Sequence, residues 1–316
     1  MRVGQNPAKS IYEVAQPKDL SIIVGNFIPM LAGYHTQSLE VLKACLESIR
    51  ANTDVPFDLM VFDNHSCPEV RSYLVEELAA DRIQYLVLSD TNIGKIGAWN
   101  YMFGAAQGKY ITFADADIWF RPGWYQDAME IYTAFPNVGM VTGRPVRNPA
   151  EVLTASQEWG RQHNVLQEGI FMKWEHFLEH AISLGWDEAR ASEDYHAGKD
   201  YLLEYGGKQA LIGAGHFQFI VPRPVLQKIL PLPSGAPMRG ERILDRAIND
   251  LGYLRLTSTE AFVRHMGNQM DDRAKSKPAP RRKKSLLRRL LWLPGIRHIL
   301  FWIYHRLFRL YFEHVS

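Results

Sequence analysis

The chain is 316 residues long, 47% hydrophobic and 22% charged, which allows one large core or two modest ones and excludes a disordered, collagen-like or low-complexity polypeptide. Its two cysteines, Cys45 and Cys67, are too few for a disulfide framework and point to a reducing compartment. The net charge of +2 hides a polarity: from Arg273 onward twelve Lys or Arg oppose one acid, Glu313, so a tail of +11 follows a body of −9, and the tail's expected partner is an anionic surface.

Residues 1–19 lack the basic-then-apolar pattern of a secretory leader and read as an N-terminal extension, so the body is expected to be cytoplasmic. From residue 20 to about 145, apolar β-rich runs alternate with amphipathic stretches, the pattern of a mostly parallel sheet covered by helices. A first strand is predicted over 21–24, entering a turn at Gly25 and Asn26. Ser38 can cap a helix in which Leu39, Leu42, Leu46 and Ile49 share one face. Strands follow over 59–62, 85–88 and 110–114, the first of these ending on Asp63 and Asn64 and the last on Asp115. Helices are predicted over 98–106, stopped at Gly108, and over 124–135, with a strand over 138–142. Polar residues thus collect at the C-terminal ends of successive strands, the edge where open α/β sheets bind ligands.

Residues 146–270 read as a second half. Within it, 151–205 is rich in Trp, His and Glu and is expected to be an irregular insertion around the site. Regularity returns with a strand over 217–221, a short helix after Pro224, and a longer helix over 241–250 ended by Gly252. Residues 275–280 carry prolines and no large apolar side chain, which suits a linker inside the tail of 271–316.

Asp115-Ala116-Asp117, directly after a β-rich run, is the strongest chemical signal. Two carboxylates one residue apart at a strand end can share one hard cation, and a divalent cation so held neutralises a diphosphate, which is what a nucleotide-sugar requires. Lys95 follows Gly94, and an ammonium after a glycine turn approaches a diphosphate without steric interference. Gly213-Ala214-Gly215-His216 reads equally as an ordinary turn or as a close-approach loop at an acceptor.

Four features in this order resemble the inverting, bacterial-type family 2 glycosyltransferases. Ser21-Ile22-Ile23-Val24 precedes a helix bearing Leu46-Glu47-Ser48-Ile49. Val61-Phe62-Asp63-Asn64-His65-Ser66 looks like the family's second acidic strand end. Asn92-Ile93-Gly94-Lys95, with Ala98 and Asn100, is similar to its Asn-x-Gly loop and helix. The segment from Tyr110 to Asp117 looks like the strand that carries its metal motif. The chain departs from the family at the end of the first strand, where Gly25-Asn26-Phe27 and a longer loop through Tyr34 and His35 stand in place of a Pro-Thr-Tyr-Asn type stretch.

The resemblance implies a GT-A, Rossmann-like α/β fold with the nucleotide-sugar bound over 20–145 and the acceptor and catalytic base supplied by 146–270. It implies that Asp63, with Asn64 beside it, hydrogen-bonds the nucleobase, that Gly94 and Lys95 lie beside the nucleotide, and that Asp115 lies near the ribose. Asp117, with Asp115, would hold Mn2+ or Mg2+ across the phosphates. His265, in Val263-Arg264-His265-Met266-Gly267-Asn268, resembles the family's late histidine, which completes the metal site in some members; an imidazole ligand would favour manganese. For the base, Glu241 and Asp245 remain alternatives, four apart on one predicted helix so that both can face one cleft.

The tail opens with Arg281-Arg282-Lys283-Lys284 and mixes Leu, Ile, Phe and Trp with further Arg and His through about residue 312. No stretch approaches the roughly 18 apolar residues needed to span a bilayer. Two amphipathic helices lying on an anionic membrane surface are expected, and the dense apolar content fits lipid better than nucleic acid. The composite expectation is a metal-dependent transfer from a UDP-, GDP- or dTDP-linked sugar to a lipid-linked or cell-envelope glycan acceptor, by a peripheral protein on the cytoplasmic face. The alternatives are a non-catalytic nucleotide-sugar-binding scaffold and a nucleotidyltransferase. The second is disfavoured because residues 25–32 contain no Lys or Arg to form a phosphate loop.

Overall fold

The computed structural model describes residues 14–234 and 240–270, together with Trp302, Ile303 and Arg306. The chain divides into two units, Met1–Met270 and Asp271–Ser316. The predicted membrane-surface helices of 281–312 lie outside the described residues, apart from those three positions. Among the described residues no helix is long and apolar enough to cross a membrane.

The first unit opens with β1 (Leu20–Asn26), α1 (Ser38–Asn52), β2 (Phe57–Asp63), α2 (Pro68–Ala79), β3 (Tyr85–Leu88), α3 (Gly94–Ala105) and β4 (Tyr110–Asp115). There follow β5 (Ile118–Phe120), α4 (Trp124–Ala134), β6 (Val138–Thr142), α5 (Thr154–Gln162), β7 (Leu166–Gly169), α6 (Trp174–Ser183) and α7 (Glu188–Ala197). The unit closes with β8 (Asp200–Tyr205), β9 (Lys208–Ile212), β10 (Gln218–Pro222), α8 (Arg223–Ile229), α9 (Arg242–Asp250), β11 (Leu254–Thr257) and β12 (Val263–His265).

One ten-stranded sheet runs through the unit in the order β3-β2-β1-β4-β10-β6-β11-β9-β8-β7, and β12 pairs with β5 in a separate ribbon. The first four strands are mutually parallel, as the alternating pattern predicts. Beyond them the sheet is mixed: β10 enters antiparallel between β4 and β6, β11 lies parallel to β6, and β9, β8 and β7 continue antiparallel. The two predicted halves therefore share one sheet. β10 comes from the second half but is inserted between β4 and β6, both strands of the first.

Alternation along the strands fills both faces. Ile22 and Val24 join one core with Leu42, Cys45, Leu46 and Ile49 of α1 and Trp124 and Ile131 of α4. Ile23 points the other way, into a core with Trp99, Met102 and Phe103 of α3, Val225 of α8, and Leu244 and Ile248 of α9. In that second core the Trp99 ring meets Phe113 and Phe219 edge-on at centroid separations of 5.3 and 5.7 Å, the arrangement favoured by aromatic quadrupoles.

Residues 151–205 are not irregular. They contain α5, β7, the antiparallel-sheet extension and the helix pair α6 and α7, in which Asp187 caps α7 by accepting from the Arg190 amide at 2.9 Å. Their apolar faces are short and interrupted by Trp and His, so the period of the helices is masked in the sequence.

Where β6 passes under α9 the packing leaves no room for a side chain. A Cβ on Gly139 would lie 2.5 Å from the Tyr253 Cβ and 2.8 Å from the Ile248 Cγ2. Gly139→Ala is accordingly expected to destabilise the fold by about 1–3 kcal/mol through overpacking, measured as a lowered midpoint in urea denaturation with an unchanged slope.

Candidate active site

The parallel pairing of β1 with β2 and β4 persists to the strand ends, with Asn26 opposite Asp63 and Gly25 opposite Asp115. Three strands therefore deliver polar residues to one edge. Asp115 closes β4, Ala116 and Asp117 turn the chain, and β5 carries it away. β12 returns along β5 with His265 opposite Ile118, and the Met266 amide donates to the Asp117 carbonyl at 2.8 Å. That ribbon brings His265 to the Asp-Ala-Asp turn from 148 residues farther along the chain, with its Nε2 3.2 Å from Asp117 Oδ2. The other ring nitrogen, Nδ1, lies 3.0 Å from Ser183 Oγ at the end of α6. The imidazole is thus held at both nitrogens.

Asp115 and Asp117 each have a nitrogen partner. Lys95 Nζ donates to Asp115 Oδ2 at 2.8 Å, and the same ammonium lies 5.4 and 5.3 Å from the ring centroids of Trp99 and Phe113. Loss of solvent raises the Asp115 carboxyl above the usual carboxylate range; the Lys95 charge opposes this and the Asp117 charge adds to it. Burial pulls the His265 imidazole down, but its hydrogen bond to Asp117 and the charges of Asp117 and Asp115 outweigh that, so its pKa is raised. Asp117 Oδ1 is buried and has no hydrogen-bond partner among the described residues. An orphaned carboxylate oxygen is costly unless something electropositive faces it. No group of three or more His, Cys, Asp or Glu side chains able to hold a metal occurs among the described residues, so a cation here would have Asp117, Asp115 and His265 only as incipient ligands.

Asp63, at the end of β2, is fully buried. Its Oδ1 accepts from Asn26 Nδ2 at 2.9 Å and its Oδ2 from the Ser66 amide at 3.1 Å, so both oxygens are engaged beneath the edge. Asn64 is likewise turned inward. Its Oδ1 accepts from the Ile93 amide and its Nδ2 donates to Asn92 Oδ1, both at 2.9 Å. Asn92 Oδ1 also accepts from the Gly94 amide at 2.9 Å, and Gly94 sits at φ +72°, a left-handed conformation that glycine adopts without strain. Asn64 therefore ties the Asn-x-Gly loop to the end of β2 and sets where Lys95 begins.

On α9, Glu241 stands at the N-terminal boundary, partly exposed. Asp245, one turn on, is 1% exposed: Arg255 Nη2 donates to its Oδ1, and His216 Nε2 lies 2.5 Å from its Oδ2. Asp245 reaches the cleft only through His216. Arg255, in the middle of a buried four-residue strand, is the partner that sequence reasoning missed; a lone arginine between Leu254 and Leu256 is the one signal that could have suggested a buried ion pair. Also unforeseen is the anchoring of α6. Glu179 faces Arg121 at 2.6 Å, the buried Arg144 at 3.5 Å and Arg264 at 3.7 Å, pinning the helix that carries Ser183 against β12. Burial pushes Arg144 down to about 10, and His180, the next residue of α6 after Glu179, down to about 3 with help from the Arg144 and His265 charges.

A parallel first half, an Asp-x-Asp turn at its edge, and a mixed second half feeding a strand back beside β4 define the GT-A class of α/β fold. Residues 34–189 match the model of glycosyl transferase family 2, and the chain carries a glycosyltransferase domain of that family. Over 124 residues it is 26% identical to an uncharacterized glycosyltransferase, alr2836, of Nostoc sp.; the match covers 39% of this chain and about a third, 35%, of that protein's length. Among solved structures it is similar to TarS 1-349 of S. aureus in complex with UDP-GlcNAc (11% identity, TM-score 0.48, 82% of this chain and 62% of that one). It is also similar to the mannosyltransferase PcManGT of Pyrobaculum calidifontis in complex with GDP-Man and Mn2+ (16% identity, TM-score 0.46, 77% and 55%).

The loop tie yields a direct test. Asn64→Ala would strip the Ile93 amide of its partner and the Asn92 amide oxygen of one of its two donors, so a loss of about 1–3 kcal/mol of stability is expected. Hydrogen exchange at the Ile93 and Gly94 amides should accelerate with it, while amides of β6 stay protected.

Proposed function

We propose that this chain transfers a sugar from a nucleoside-diphosphate donor to a glycan or glycolipid acceptor, with inversion, at the edge that holds Asp115, Asp117 and His265. The observation that carries the proposal is the buried, partnerless Oδ1 of Asp117, flanked by a second carboxylate and an imidazole. The donor set suits a divalent cation: two carboxylates are enough when the diphosphate itself completes the coordination shell, and the imidazole favours Mn2+ over Mg2+. Bound there, the cation would supply the charge neutralisation that lets the nucleoside diphosphate leave.

The chain's own residues account for the rest of the reading. Lys95 brings an ammonium to the same edge from the start of α3, where the Gly94 turn admits the phosphates, and Asp115 faces the ribose side. Asp63 and Asn64 act one layer below the ligand, stiffening the ends of β1 and β2 and the Asn-x-Gly loop on which the nucleotide rests. Ser183 orients the His265 ring. The acceptor hydroxyl must lose a proton as it attacks, and the groups available on the α9 side are Glu241 and Asp245, the latter through His216. The strongly basic, apolar tail of 281–312 would keep the domain against an anionic membrane on its cytoplasmic face, which suits a lipid-linked acceptor.

The test is a thermal-shift panel of UDP-glucose, UDP-GlcNAc, GDP-mannose and dTDP-glucose with and without Mn2+. One donor at about 100 times its Kd should stabilise the protein by about 2.7 kcal/mol, and only with the metal present. Asp117→Ala should abolish the metal-dependent part while leaving the unliganded melting temperature close to that of the parent. An equal shift in the variant would remove the metal assignment.

A further inference from the structure

The Asp245 assembly is built beyond what a structural ion pair needs. Arg255 and Asp245 already neutralise each other, each 1% exposed, and Arg255 Nη1 and Nη2 also donate to the carbonyls of Val152 at 2.7 Å and Ala214 at 3.3 Å. His216 is added to this pair and is the one member with side-chain exposure, 25%. The loop that carries it is held from several sides: the Ala214 amide donates to Asn148 Oδ1 at 2.7 Å, and the Gly215 amide to Thr142 Oγ1 at 2.8 Å. The same loop runs into the metal edge. β10 pairs with β4 with Gln218 opposite Ala114, and the Asp115 amide donates to the Phe217 carbonyl at 2.8 Å. The next residue back, His216, is therefore level with Ala116, between the two carboxylates of the Asp-Ala-Asp turn.

Because Nε2 faces a buried carboxylate that is already ion-paired, that nitrogen carries the proton, and Nδ1 is left with its lone pair. Nδ1 has no hydrogen-bond partner among the described residues. We propose that His216, oriented by Asp245 and Arg255, is the base of the transfer, in place of either carboxylate of α9. This rests on the glycosyl-transfer reading. In the step, the acceptor O–H bond breaks and its proton passes to His216 Nδ1. The acceptor oxygen forms the bond to the sugar's anomeric carbon as the bond from that carbon to the phosphate oxygen breaks. The nucleoside diphosphate leaves with that electron pair, and the imidazolium then returns its proton to solvent. Asp245 stays ionised throughout and steadies the imidazolium, much as a buried aspartate does in hydrolase triads. Glu241 is left as a residue of the acceptor cleft.

The experiment compares the full chain with His216→Ala and His216→Gln, with water as the acceptor. It follows nucleoside-diphosphate release in Mn2+ from whichever of the four nucleotide-sugars gives the metal-dependent shift. Glutamine can keep the hydrogen bond to Asp245 but cannot take a proton, so it separates the chemical role from a structural one. The expected result is a kcat lowered at least about 10²-fold in both variants, donor KM within threefold of the parent, unchanged melting temperatures, and partial recovery of His216→Ala by added imidazole. Full activity in His216→Gln, or a loss confined to KM, would overturn the proposal and return the base to Glu241. A parent protein that neither shifts nor releases diphosphate with any of the donors would instead overturn the transferase reading, and this one with it.

Discussion

Two carboxylates one residue apart repel each other, and the surroundings of the Asp-Ala-Asp turn are organised by that repulsion. Lys95 reaches Asp115 from α3, and His265 reaches Asp117 from β12, so each acid meets a nitrogen partner from a different direction. Both partners then need supports of their own. Lys95 is set by the Gly94 turn and the Asn64 tie, and His265 by Ser183 and by a helix that Glu179 and three arginines clamp in place. Among the described residues, Asp117 Oδ1 and, at the end of β1, Asn26 Oδ1 are left as buried acceptors without a hydrogen-bond partner. Such acceptors cost stability at this edge.

The second charged assembly obeys a different rule. Asp245 and Arg255 are removed from water almost completely, and such a pair contributes little net stability because desolvation offsets most of the attraction. What it does provide is direction: with Arg255 also bonded to Val152 and Ala214, the carboxylate cannot rotate, and neither can the ring of His216. The two assemblies meet at β10, an antiparallel strand inserted into a parallel array. A fifth parallel strand there would have presented its own C-terminal end; β10 instead brings the start of a strand, and the loop before it, to the same edge.

How far the site was legible depended on the range of the contacts involved. Asp115, Asp117, Gly94 and Lys95 stand out in the sequence because local pattern marks them: a strand run ending on acid, a glycine before a lysine. Asp63 and Asn64 were found for the same reason, yet their burial was not foreseeable, because only Asn26, Ser66 and the Asn92 loop decide which way those side chains turn. Asp245 was visible as an acid on an amphipathic helix. Its binding to an arginine ten residues on and a histidine 29 residues back was not visible. Helices α6 and α7 escaped notice because aromatic and histidine residues interrupt their apolar period.

The sequence by itself determined the parallel first half, the faces its helices bury and the position of the acidic edge, since these rest on hydrophobic periodicity and on residues adjacent in the chain. Only the tertiary structure decided that β10 joins that half and that β12 carries His265 to Asp117. Each of these depends on pairing between segments on the order of a hundred residues apart, where the hydrogen-bonding edge of a strand accepts many partners and sequence pattern does not say which one folding selects.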